Sequence, residues 1–158
     1  MENIKTEIRN AITTLGDSTI VCRELPESQG EEVFREALAH FVASGDCRWW
    51  WEDFRKPSTA IKLQDAFRIL PSLVPDKAEL VWFIAEDDQL PFFPVFESNV
   101  QSVSQIVGEC YGFEYYIVQK QFEWLLCENH HDTLFGIGKV VEVRIKELAA
   151  QQSAAGDA

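Results

Sequence analysis

The decapeptide CENHHDTLFG, residues 127–136, gathers a thiol, two imidazoles and two carboxylates between Cys127 and Asp132. Zinc is the first chemistry these suggest, because it takes nitrogen and sulfur ligands, four in a structural site and about three plus water in a catalytic one. Cys127 and His130 have the spacing of one ligand pair. The other histidine, His40, falls in a predicted helix, and Cys22, Cys47 and Cys110 stand singly, so Glu128, Asp132 or a distant cysteine would have to complete a site. His130 and His131 are expected to diverge, since neighbours point to opposite faces of a strand and about 100° apart on a helix. The sequence therefore predicts no metal site and no bound cofactor.

A thiol nucleophile is the second chemistry, because an imidazole near Cys127 could lower its pKa and take its proton. Thiol enzymes usually draw that base from elsewhere in the fold, and a cysteine ending an apolar strand is expected to be packed. No catalytic residue is assigned. The structural reading of the segment has Asn129, one histidine and Asp132 satisfying backbone groups where a hairpin turns towards the last helix.

Two other places carry suggestive residues. Glu86, Asp87 and Asp88 form an acidic run that could act in proton transfer or hold a hard cation, or simply be a solvated turn. Trp49, Trp50 and Trp51 offer large contact area at small entropic cost, either to the core or to a partner. Gly136 and Gly138 make a G-x-G without the third glycine of a nucleotide loop. As a contact surface for a protein partner, the sequence nominates Trp50, Glu86, Asp87, Asp88, Glu128, His130, His131 and Asp132.

The bulk properties bound these readings. At 158 residues the chain is one domain's worth, assigned to 1–150 with a disordered tail at 151–158. With 46% hydrophobic and 25% charged residues it is neither a disordered chain nor a membrane protein. A net charge of −12 repels phosphate backbones and anionic lipid, which argues against nucleic acid and membrane, and it complements a basic partner. The start MENIKTEIRN has no cationic step before an apolar run, so a cytoplasmic location with reduced, mostly buried thiols is expected. The oligomeric state is left open.

Elements that would position these residues follow from periodicity. Ile4, Ile8, Ile12 and Leu15 lie on one stripe of a helix that Gly16 ends. A second helix runs from Gly30 to Ser44-Gly45, and the tryptophan triplet reads as a strand. A third helix is expected over Ser58 to Leu70. Leu80 to Ala85, six continuous apolar residues, reads as a central strand, with a further strand after Pro94. Ser98 and Gln101 have capping-box spacing ahead of a helix that Gly112 ends. Phe113 to Val118 and Phe122 to Cys127 form a hairpin turning at Gln119-Lys120-Gln121, and a last helix starts near Lys139. The sum is an α+β single domain: a mixed or mainly antiparallel sheet, a β-hairpin in the C-terminal half and about five covering helices.

The pieces VWFIAEDD and FEYYIVQKQFEWLLCENHHD, with the glycines after them, resemble a family of small bacterial proteins similar in style to toxin-immunity proteins, over about residues 79–138. That resemblance implies a cytoplasmic bacterial protein that binds and neutralises a toxin domain, and no catalytic residues are carried over from it; the net charge of −12 is compatible with a basic target. The expectation is a non-enzymatic protein-binding domain. The alternative is a metal-dependent or thiol hydrolase centred on the CENHHD segment.

Overall fold

A computed structural model describes residues 3–16, 18–44 and 49–156. Cys47, Gly45 and the last two residues of the predicted tail lie outside them. The described residues form a seven-stranded sheet in the order β1-β4-β3-β5-β6-β7-β2, antiparallel at every pairing. The strands are β1 (Cys22–Glu24), β2 (Thr59–Lys62), β3 (Leu80–Ala85), β4 (Val95–Asn99), β5 (Tyr115–Gln119), β6 (Leu125–Glu128) and β7 (Thr133–Ile137). Four α-helices are described: α1 (Ile4–Leu15), α2 (Glu27–Phe41), α3 (Val100–Gly108) and α4 (Lys139–Gly156). Two 3₁₀ segments, Trp50–Glu52 and Ala66–Leu73, complete the set, giving the expected α+β class.

Strand side chains alternate between faces, so each strand of the middle sheet feeds two cores. On one face Val81, Phe83, Ile117, Leu126 and Leu134 pack under α1, α3, α4 and the Ala66–Leu73 segment. On the other, Ile84, Val95, Tyr116, Leu125 and Cys127 pack under α2 and Trp50. The unbroken apolar run of β3 is the consequence, because both of its faces are covered and it pairs on both sides. The part of this face beyond α2 is closed by Lys120, whose ammonium lies 4.5 Å from the Trp82 ring centre and 2.5 Å from Glu97.

The helix ends follow from local chemistry. Asn3 caps α1 by accepting the Thr6 amide at 2.9 Å, and Gly16, at φ 56°, closes it. Before α3 the cap is Asn99, which accepts the Ser102 amide at 2.8 Å, in place of the predicted Ser98. The Ser98 hydroxyl instead donates to the Val21 carbonyl and ties β1 to β4. α2 starts at Glu27, one turn before the predicted Gly30, because Gly30 packs inside the helix against Leu25 and Val95.

Four expectations differ. The tryptophan triplet is a tight turn in place of a strand, closed by pairing of residues 41–43 with 53–55. Residues 58–70 divide into β2 and the 3₁₀ segment: Thr59–Lys62 has a sheet edge to complete, and Asp65, at φ 56°, breaks the chain before Ala66. β7, which the glycines disguised as loop, adds a strand after the hairpin. α4 continues through 151–156, where a disordered tail was predicted, because its alanines and glutamines favour helix. Among the described residues no helix is long and apolar enough to cross a membrane.

The two glycines of the G-x-G pair serve packing. A Cβ on Gly136 would sit 2.5 Å from Ile145 Cδ1 of α4. Gly138 adopts φ +106°, and a Cβ there would lie 2.5 Å from the Glu123 carbonyl oxygen and 2.7 Å from Trp124 Cβ. Gly138→Ala should therefore cost about 2–4 kcal/mol. Gly16→Ala, at φ 56° with its nearest atom 3.7 Å away, should cost about 1 kcal/mol. Urea unfolding of both variants checks this, and equal midpoints would refute it.

Candidate functional site

Strands β3 and β6 end, and β5 and β7 begin, at the same end of the sheet. Glu114 sits there, one residue before β5, with its carboxylate 4% exposed. Its backbone carbonyl accepts the Glu86 amide at 2.9 Å, extending the β3–β5 ladder by one pair. Its carboxylate accepts Trp51 Nε1 at 3.3 Å and the His130 amide at 3.2 Å, and meets His130 Nδ1 in a short contact. A carboxylate this buried is tolerated because each of these donors is aimed at it. It joins three separate segments: the tryptophan turn, the start of β5 and the β6–β7 turn.

Residues 129–132 make the β6–β7 turn. Asn129 Oδ1 accepts the amides of His131 at 3.0 Å and Thr133 at 3.1 Å, the role expected for it, and Asp132 takes φ 53° to reverse the chain. This turn is neither strand nor helix, so the expected divergence of the two histidines does not occur. Their ring centres are 3.9 Å apart, tilted by 48°. His130 packs near Trp49 and Trp51, at 5.7 and 6.0 Å, and His131 meets Trp51 edge-on at 5.8 Å. The aromatic row continues through Phe135, stacked on Trp51 at 6.0 Å, to Phe54. Trp49, Trp51, Phe54 and Phe135 are half-buried, whereas His130, His131 and Asp132 are exposed.

On its other side the turn borders a cleft of about 300 Å³ lined in part by Asp65, Phe67, Phe113, Glu128, His130 and Asp132. Glu128 accepts the Tyr115 hydroxyl at 2.5 Å and the Ala66 amide at 3.2 Å. Burial raises the Glu128 pKa above the ordinary carboxylate range, and these two hydrogen bonds pull it partly back. No lysine or arginine lines the cleft among the described residues, and three of its lining side chains, Asp65, Glu128 and Asp132, are carboxylates.

The structure separates the residues that the sequence grouped. Cys127 points to the opposite face from Glu128 and is fully buried under α2. Burial, then the charges of Glu114 and Glu128, push its thiol well above its usual pKa, so it has neither the access nor the thiolate of a nucleophile. Trp50 is 0% exposed, stacked on Tyr116 at 4.3 Å with its amide donating to the Tyr116 hydroxyl, so it cannot meet a partner. Trp49 and Trp51, not nominated, are the accessible members of the triplet. Asp87 is also buried, accepting the amides of Ile4 and Gln89, and so anchors α1 to the β3–β4 loop. Glu86 is half-buried beside Glu114, and Asp88 is exposed in a depression shared with Asn3 and Glu7. Glu114 was missed; its signal was one acid just ahead of an apolar strand, in GFEYYIV. Among the described residues no three His, Cys, Asp or Glu side chains converge as a metal-holding group.

Two measurements follow. Glu114→Ala should cost about 3 kcal/mol in urea unfolding, because the Trp51 and His130 donors lose their acceptor; a loss near zero would contradict this. A carboxyl whose folded pKa is raised gives stability that is full below its unfolded value near about 4.3 and is lost as pH rises through the folded value. The stability of the native chain relative to Glu128→Gln should therefore fall as pH is raised from about 4 to 7. A rise over that range would contradict the assignment.

Neither the curated proteins nor the solved structures contain a match to this chain. Residues 1–149, nearly the whole length, match the model of a family of unknown function (DUF6756), and the chain belongs to that family.

Proposed function

We propose that this chain is a non-enzymatic protein-binding domain that uses the sheet end around the β6–β7 turn to hold a basic partner. The observation that carries the reading is the row of half-buried Trp49, Trp51, Phe54 and Phe135 beside exposed His130, His131 and Asp132. Interfaces concentrate their energy in such aromatic anchors, while surrounding charge sets the encounter rate and rejects wrong partners. The net charge of −12 favours a cationic surface. The resemblance of residues 79–138 to toxin-immunity proteins points to a bacterial toxin domain as that partner, met in the cytoplasm. A hydrolase centred on the same turn has less support, since its thiol is buried and no lysine or arginine lines its cleft among the described residues.

Co-purification from the source cells at ordinary salt should recover a basic protein in stoichiometric amount. Binding should weaken as salt rises, mainly through slower association. Trp49→Ala and Asp132→Lys should each weaken it at least about tenfold. Failure to recover a specific partner, or a partner whose affinity ignores both substitutions, would overturn the proposal.

A further inference from the structure

We propose that the end of the sheet opposite the β6–β7 turn binds a small zwitterion, a free α-amino acid with an apolar side chain. β5 and β7 end there, and β3 and β6 begin there, around a cleft of about 290 Å³ that Trp124, Lys139 and Val140 help to line. Ligand pockets start at about 300 Å³, so this volume suits a small molecule. The site needs no protein partner and shares no residue with the surface assigned to one.

Its anion end follows from a packing demand. Gly138 is the N-cap of α4: its carbonyl accepts the Val141 and Glu142 amides, and its own amide donates to Glu142 Oε2 at 3.0 Å. A cap residue ordinarily offers a side-chain oxygen to the next free amides, but a Cβ at Gly138 would run into Glu123 and Trp124. The amides of Lys139 and Val140 are consequently left without an acceptor among the described residues. An independent donor comes from the residue just before β6. Trp124 is 5% exposed, and its indole N–H has no partner among the described residues. Trp50 Nε1 is sealed in the core, whereas Trp124 Nε1 is not sealed and opens into the cleft that Trp124 lines. A carboxylate seated there accepts from the indole and the α4 amides, with the Lys139 ammonium beside it.

The rest of the lining sets the other end of the ligand. Asp76, Glu79 and Glu123 bring three carboxylates against the one lysine. They repel a bare anion such as phosphate, whereas a bare cation leaves the Trp124 and α4 donors unused. A molecule carrying both charges meets both sets, with its ammonium towards the acids. Val74, Pro75 and Val140 add an apolar wall for a hydrocarbon side chain.

The test titrates the full chain at neutral pH with valine, leucine, methionine and phenylalanine in turn, followed by calorimetry and by the ¹⁵N–¹H resonances of the indole groups. At least one of the four should bind saturably, one per chain, and move the Trp124 indole resonance while those of Trp49 and Trp51 stay in place. For the tightest of them, the analogues lacking the amine or lacking the carboxylate should bind at least about tenfold more weakly. Trp124→Phe should weaken binding at least about tenfold. Lys139→Met, and Glu79→Gln combined with Glu123→Gln, should each weaken it about threefold or more. Lys139, Glu79 and Glu123 are exposed, so their variants keep the test valid if Trp124→Phe folds poorly. Absence of saturable binding by all four amino acids, equal affinity for the analogue lacking the amine, or unchanged affinity in Lys139→Met would overturn the proposal.

Discussion

The Glu114 carboxylate is the interaction on which this end of the molecule depends. Buried to 4% exposure, it can remain only because Trp51 and His130 supply donors from two other segments. Removing any donor leaves a desolvated acceptor, and removing the carboxylate leaves desolvated donors, so the three segments are coupled. The tryptophan turn, the start of β5 and the β6–β7 turn are thereby held in one arrangement. The exposed histidines inherit their positions from that arrangement, not from the regular geometry of a strand or helix.

The two cores explain why a small sheet can carry such a group. Most strands contribute apolar side chains to both faces, so the middle of the sheet is dry and the strand ends become the place where polar groups concentrate. Glu114, Glu128 and Asp132 lie at the ends of β5, β6 and β7, where the ladder stops and backbone groups need side-chain partners. Asn129 meets part of that need within the turn, and Glu128 meets the first amide of the Ala66–Leu73 segment. The same acids that satisfy the scaffold give the surface its sign.

Elements with one strong period were legible in the sequence. α1, β3, the β5–β6 hairpin and the start of α4 follow from spacing, an unbroken apolar run or a turn between apolar runs. The short, tertiary-determined elements were not. β2 has four residues and exists because β7 offers an edge, while the apolar spacing of Ile61, Leu63 and Ala66 imitates a helix. β7 carries Gly136 because Ile145 and Val141 leave no room for a Cβ, a packing demand that spacing along the chain cannot reveal. The tryptophan triplet has strand composition, but the closure between residues 41–43 and 53–55 bends it into a turn that buries Trp50 alone. At the site, the exposed acids and histidines were visible as residue types. Their assembly was not, because it turns on one acid outside the decapeptide and on a positive φ at Asp132.

The most direct measurement is the ¹⁵N–¹H correlation spectrum of the His130 ring at a pH where it is neutral, in the native chain and in Glu114→Gln. The account predicts that the native ring carries its proton on Nδ1, and that this preference weakens when the carboxylate becomes an amide. A native ring protonated on Nε2, or a tautomer indifferent to the substitution, would contradict it.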